Sequence, residues 1–438
     1  MEEPRIKVGI CDGYPEIRGR LNGVYRTVGV PLTGEFSVRP REGAAVLCDA
    51  FGREVLRAPE IPLYPENGGT FTLREVTIGV KFHWERKEEE TFGGSLVILY
   101  RGDGFLTAVN EISVEDYLLS VVPSEMSGEA PLEFLKAHAI ASRSWLVAML
   151  GRGKRGTVGA GTVRRHDREF IRWYDREDHD RFDVCADDHC QRYQGINGRP
   201  PGRAAEAVRQ TRGVLLIRDG EICDARYHKS CGGLTENYAT SWEDRSVPYL
   251  CHVSDSSHAY PPIRTEADAE RWILSCPDVY CHTEDSGLLK RILPDYDRET
   301  ADFFRWQVSH TRQELEQILR EKSGIDFGVL SGLVPQERGP SGRIRLLKIV
   351  GSKATIAVGK ELEIRRWLSP SHLYSSAFIV SVTRDPAGVP TRFTLYGAGW
   401  GHGVGLCQIG AAVMAARGFA AEEILRHYFR GTAMVKRY

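Results

Sequence analysis

The chain has 438 residues, 58 basic and 59 acidic, for a net charge of −1 with histidine neutral. This balance excludes a global pull toward nucleic acid or an anionic membrane, so no nucleic-acid partner is expected and binding must come from a local site. No window approaches the roughly 18 consecutive apolar residues of a transmembrane segment, and ten cysteines are too sparse for a disulfide scaffold.

Residues 5–110 read as short β-strands: Ile6–Ile10, Glu35–Arg39, Ala45–Asp49, Thr70–Phe82, Ser95–Tyr100 and Phe105–Val109. Turn signals such as Glu66-Asn67-Gly68-Gly69 and Arg101-Gly102-Asp103-Gly104 separate them. A β-rich N-terminal domain over 1–107 is therefore expected, without a catalytic motif and with a substrate-gripping or scaffolding part. The opening Met1-Glu2-Glu3-Pro4-Arg5-Ile6-Lys7 lacks the apolar run of a secretory signal.

A short helix is expected from Asp116-Tyr117, with Glu115 and Asp116 as capping carboxylates. The stretch ends in Ser124-Glu125-Met126, and Val121, Val122, Pro123 and Met126 give Glu125 an apolar setting. Such a setting lets a carboxylic acid keep its proton at neutral pH and deliver it to a leaving oxygen. A helix-dipole or capping carboxylate is the plainer alternative. Pro131 suits a first helical position, and Leu135, Ala139, Ser142, Leu146 and Met149 recur on one inward face. Lys136, Ile140 and Arg143 share another face, toward solvent or a cleft. The helix should end near Leu150, where the Gly/Arg-rich loop Gly151–Gly156 begins.

Between 179 and 190 two imidazoles and two thiols, His179, Cys185, His189 and Cys190, fall within twelve positions. That donor set favours zinc. His189 beside Cys190 requires a loop, since neighbours in an extended chain point apart. A polar loop with incidental cysteines explains the same letters, and Asp187 or Asp188 are substitute ligands. Val214–Ile217 and Glu221–Tyr227 flank Asp219-Gly220, a hairpin signal that puts His228 at a strand end. His228 precedes Cys231-Gly232-Gly233, whose glycines let backbone amides approach a ligand. Glu266–Leu274 and Gln313–Lys322 read as helices, the second opened by a capping box at Thr311-Arg312-Gln313-Glu314. The part around 261–302, with Cys276 and Cys281, reads as an insertion. Gly397–Gly405, carrying Trp400 and His402, lacks the Lys-Ser or Lys-Thr of a phosphate loop and suits an exposed backbone shelf with a ring for sugar stacking. A helix from Gln408 closed by Gly418, and another over Ala421–Phe429, complete a mixed α+β fold.

Three ordered motifs, Glu115–Met126, His228–Gly233 with Thr235-Glu236-Asn237, and Gly399–Gly405 with Gln408, Gly410 and Ala411, resemble the stage II sporulation protein D family, which also contains the amidase enhancers. The resemblance runs from about Ala108 to Tyr438, interrupted by the insertion. It implies a catalytic Glu at Glu125, zinc on His179, Cys185, His189 and Cys190, and a cleft that includes Tyr117, Lys136, Arg143, His228, Gly232, Gly233, Trp400, His402 and Gln408. Cysteines at 231 and 407 depart from the family's serines, so no thiolate nucleophile at Cys231 is expected. The implied activity is lytic transglycosylation of peptidoglycan glycan strands stripped of their peptide stems, with one Glu as acid and then base. An amidase enhancer that binds wall and stimulates a cell-wall amidase is the first rival, and a zinc-dependent hydrolase the second. Any of the three implies an extracytoplasmic, cell-envelope location.

Overall fold

The protein is described from a computed structural model at residues 2–80, 85–151, 163–166, 168–174, 179–197, 202–298 and 302–438. The fold is α+β, as expected. The chain forms two compact units, one of Met1–Glu129, Asp178–Val214 and Lys436–Tyr438, the other of Ala130–Glu177 and Leu215–Val435. Residues 152–156 of the expected Gly/Arg-rich loop lie outside the described residues, as do residues 81 and 82 at the end of the expected 70–82 strand.

In the first unit, ten strands precede the first helix among the described residues: β1 (Arg5–Tyr14), β2 (Ile17–Thr27), β3 (Val30–Arg41), β4 (Ala44–Cys48), β5 (Glu54–Ala58), β6 (Glu60–Pro65), β7 (Thr70–Ile78), β8 (Arg86–Gly93), β9 (Ser95–Tyr100) and β10 (Leu106–Ser113). With the short strand Val184–Cys185 they share one sheet among the described residues, in the order Val184–Cys185, β1, β10, β9, β6, β2, β3, β4, β5, with β7 and β8 branching from β2. Strands β2, β5, β6 and β8 were not expected. β2 shows why: Ile17, Gly19 and Leu21 point inward, but arginines and asparagine occupy the alternate, exposed positions and dilute the apolar signal. The expected boundary between residues 107 and 108 falls inside β10, which is hydrogen-bonded to β1 on one side and β9 on the other.

Helix α1 (Val114–Glu125) follows β10 directly. Ser113 caps it by accepting from the Asp116 N–H, so a serine rather than an acidic residue takes the cap. The Glu115 carboxylate instead accepts from the Gly213 N–H at 3.1 Å and the Tyr438 hydroxyl at 2.8 Å.

The segment after 179 is laid along the same sheet. The Asp183 N–H donates to the Lys7 carbonyl and the Lys7 N–H to the Asp183 carboxylate, both on β1. Val184–Cys185 then pairs in parallel with Val8 and Gly9. Gly9 is needed there, since a Cβ would come within 2.5 Å of the Phe182 ring. Further on, Tyr193 stacks on Tyr117 of α1 with ring centroids 4.9 Å apart, and its hydroxyl donates to Asn110 Oδ1 at 2.5 Å.

In the second unit, α2 (Leu132–Gly151) ends where expected. The face of Leu135, Ala139, Ser142, Leu146 and Met149 is buried, but Ile140 and Arg143 are buried too, so α2 is enclosed on more than one side rather than amphipathic. A five-stranded sheet runs Val163–His166, Glu169–Arg172, Thr355–Gly359, Ile344–Gly351, Leu330–Arg338. A three-stranded sheet of Arg305–Thr311, Pro390–Ala398 and Phe378–Arg384 shares its core, where Trp306, Trp367, Phe378 and Phe393 meet. The helices Glu266–Ile273 and Arg312–Ser323 form within a residue or two of their expected bounds, the second with both halves of its capping box. At the expected hairpin, Asp219 and Gly220 both have positive φ, as a type I′ turn demands.

Tyr193→Phe tests how the 179–197 segment is attached. Removing the hydroxyl strands the buried Asn110 oxygen, so a stability loss of about 1–3 kcal/mol is expected. A denaturation midpoint equal to that of the parent protein would show that the contact contributes nothing.

Candidate functional site

Glu125 is the last residue of α1 and is 8 % exposed, among the fully buried Val121, Val122 and Met126. A carboxylate at a helix C-terminus faces the negative end of the dipole, so the helix-dipole alternative does not account for it. Its Oε1 accepts from the backbone N–H of Arg192 at 3.1 Å. The residue that holds Glu125 thus comes from the segment that carries the cysteines and histidines, and neither Arg192 nor Tyr193 was singled out from the sequence, because a main-chain donor leaves no letter to read.

His179, Cys185, His189 and Cys190 converge, with one donor atom from each lying within 4.8 Å of the others. His179 Nε2 is 3.2 Å and His189 Nδ1 3.6 Å from Cys190 Sγ. Donors of a tetrahedral zinc, at about 2.0–2.3 Å from the metal, sit about 3.3–3.8 Å apart. The Cys190 N–H closes a turn onto the Asp187 carbonyl, which supplies the loop geometry that adjacent His189 and Cys190 require. His179 Nδ1 is buried without a hydrogen-bond partner. The residues fit zinc in both donor chemistry and spacing. Hydrogen bonding to Cys190 and to the two imidazoles holds the Cys185 thiol well below its usual range. Asp188 is engaged by Arg192, and burial, reinforced by Asp188, pushes the Asp187 carboxyl up to about 7.

Tyr117 is fully buried, and its hydroxyl has no hydrogen-bond partner. Burial holds this phenol well above its usual range, with the charges of Cys190, Cys185 and Glu125 adding to the effect.

The remaining candidates belong to the second unit. Tyr227–His228 pairs in parallel with Leu406–Cys407, and Ser230 and Trp400 exchange two backbone hydrogen bonds, so the second and third motifs lie side by side. Gly232, Gly399, Gly401, Gly403 and Gly405 all have positive φ, and a Cβ on Gly405 would meet the Arg226 carbonyl at 2.1 Å. Arg343, fully buried, joins the motifs: its guanidinium donates to the carbonyls of Cys231 and Gly401, each at 3.1 Å. Glu236 is saturated by Asn237, Thr240 and Ser341 and is a structural residue. Arg343 immediately precedes the strand Ile344–Gly351, and nothing in the sequence marks it.

The His228 Nδ1 faces the Val404 carbonyl at 3.1 Å and so carries the proton, which leaves Nε2 as a buried acceptor with no protein donor. His402 lies against His228 and Trp242, their ring centroids 5.5 and 4.8 Å away. His228 is buried where Tyr227–His228 pairs with Leu406–Cys407, whereas His402 is only partly covered. Trp400 stacks on Tyr374 at 4.4 Å, so a ring expected to be open to a sugar is already engaged by protein. Lys136 is paired with Glu133 at 2.7 Å. Arg143 is fully buried, and Gln408, also buried, contacts His138 at 3.1 Å.

Residues 102–217, which include Glu125 and the His/Cys cluster, match the family described as Stage II sporulation protein. Residues 236–405 match a domain of unknown function (DUF8618), so Trp400 and His402 lie outside the first match. An uncharacterized protein of Brachyspira hyodysenteriae is 26% identical over 434 residues, 98% of this chain and 92% of its own. The amidase enhancer of Bacillus subtilis is 26% identical over 332 residues, 72% of this chain but 40% of its own length. Stage II sporulation protein D of the same organism is 23% identical over 331 residues, 74% of this chain and 75% of its own. The resemblance read from the three motifs is borne out.

Burial lowers the pKa of His138 and His228 to about 3 and of His427 to about 4. In the unfolded chain these imidazoles titrate near 6.5, so below that pH the unfolded state takes up protons that the native state refuses. Their contribution is intact above about 6.5 and is lost as the pH falls toward the folded values, at up to about 1.4 kcal/mol per pH unit for each histidine. Denaturant titrations between pH 7 and 5 should show this decline, and His138→Gln should flatten it. An identical slope in the variant would mean that His138 is not held neutral.

Proposed function

We propose that the protein is a lytic transglycosylase that cleaves peptidoglycan glycan strands, with Glu125 as its acid and base. The observation that carries this reading is the enclosed Glu125 carboxyl at the end of α1, gripped by a main-chain N–H. In this scheme Glu125 gives its proton to the glycosidic oxygen as the bond to the anomeric carbon breaks. The carboxylate then takes the proton of the muramic acid's own primary hydroxyl, whose oxygen closes onto that carbon, so the product is an anhydro sugar and no water is consumed. A second carboxylate at the spacing of a hydrolase is not required.

The relatives named for sporulation and for amidase enhancement support a cell-wall-related role, and stem-free glycan is the substrate proposed for it. A location outside the cytoplasm follows from that substrate. No helix among the described residues is long and apolar enough to cross a membrane. Zinc on His179, Cys185, His189 and Cys190 would have four protein ligands and no open position, which favours an ordering role over a hydrolytic one. It would steady the loop that presents Arg192 to Glu125. The amidase-enhancer relative supports a second reading, in which the protein binds wall and stimulates an amidase without cutting glycan.

Mass spectrometry of stem-free glycan after incubation decides between these. Anhydromuramic ends are expected with the parent protein, and Glu125→Gln should lower their yield at least about a hundredfold while keeping fold and glycan binding. Intact glycan with the parent protein, together with a faster amidase, would establish the second reading instead. Cys185→Ser should lose one equivalent of zinc and unfold at lower temperature, and unchanged metal content would remove zinc from this loop.

A further inference from the structure

A second cluster lies in the other unit. Cys231, Asp255, Cys281 and Cys407 are all buried, and one donor atom from each lies within 4.8 Å of the others. They come from four separate stretches: the His228–Gly233 motif, the loop before the insertion, the insertion, and the residue that opens the helix Gln408–Ala416. The cysteines are free thiols.

We propose that these four side chains form a closed site for a thiophilic divalent cation of the zinc class. Cys231 Sγ and Cys281 Sγ are 3.6 Å apart, close to the about 3.8 Å of two thiolates on one tetrahedral centre. Main-chain N–H groups are aimed at the ligands: Gly233 at Cys231 Sγ and Cys231 at Cys407 Sγ, both at 3.3 Å, and Cys281 at Asp255 Oδ2 at 2.7 Å. The Tyr428 hydroxyl donates to Asp255 Oδ1. Such donors stabilise thiolates and fix a carboxylate's orientation, as the outer shell of a metal site does. Cys407 also stands at a helix N-terminus, where a thiolate is favoured.

Buried cysteines alone would be ordinary packing. Asp255 is what packing does not explain. It is fully buried, and apart from the Cys281 side chain its hydrogen-bond partners are a neutral amide and a neutral hydroxyl. An isolated carboxylate in such surroundings is costly unless a cation answers it. The nearby arginines do not bond it: Arg305 donates to the carbonyls of Gly232, Trp272, Ser275 and Phe304, and Arg343 to that of Cys231. Both are placed to offset the surplus negative charge of three thiolates and one carboxylate around a divalent ion. Gly410 leaves room for the carboxylate, since a Cβ there would lie 2.3 Å from Asp255 Oδ1. With four protein ligands the site has no open position, so it ties the insertion to the two glycine-bearing motifs.

The test is metal analysis of the full chain purified without chelators, alongside Cys281→Ala and the double variant Cys185→Ser/Cys190→Ser, which lacks two ligands of the other cluster. Cys281→Ala should contain one equivalent less than the parent, and the double variant should keep one. Reconstituted with cobalt(II), the double variant should show thiolate-to-cobalt charge-transfer absorption. That readout stands even if Cys281→Ala does not fold. A double variant without metal and without that absorption, or a Cys231–Cys281 cross-link in non-reduced peptide maps, overturns the proposal.

Discussion

The N–H of Arg192 on the Glu125 carboxylate is the contact around which the first unit is arranged. A main-chain donor can be aimed only by fixing the chain on either side of it. Before Arg192 the chain is pinned by Phe182 against Gly9, by the pairing of Val184–Cys185 with β1, and by the convergence of His179, Cys185, His189 and Cys190. After it, Tyr193 lies on Tyr117, and the Ile196 N–H donates to the Thr91 carbonyl at 2.7 Å. Much of the long N-terminal sheet can therefore be read as a rigid bed for one loop.

In the second unit a buried cation has the comparable part. Arg343 spends its donors on carbonyls of two glycine-bearing turns, whose backbones approach too closely for side chains. Charged hydrogen bonds to carbonyls in a dry interior are strong, and leaving those carbonyls unmet would be expensive. The glycines and the arginine belong to one solution: the former permit the close approach and the latter satisfies what it exposes.

Elements whose signal is local were legible. Thr311 and Glu314 announce a helix start, Asp219-Gly220 a hairpin, and the His/Cys spacing a shared centre, each within a few residues. What was missed is made by partners far apart in sequence. β2 and β8 are half polar and become strands only through their neighbours, and α2 reads as amphipathic although its second face is covered as well. The two departures from the family pattern, Cys231 and Cys407, looked independent in the sequence, yet the Cys231 N–H points at the Cys407 sulfur. His228, at a strand end before paired glycines, is buried, because glycine-bearing backbones can pack closely around what they carry.

The Glu115 carboxylate binds the Gly213 N–H and the Tyr438 hydroxyl together. On a ribosome this imposes an order of events. The strands of β1 to β10 emerge first, but β1 gains its outer neighbour only once residues 184 and 185 have been made, and α1 gains its last partner only with residue 438. The unit begun earliest is thus completed last, after the whole of the other unit has been synthesised in between. Until residues 184 and 185 are made, the outer edge of β1 offers unpaired backbone groups open to pairing with another chain.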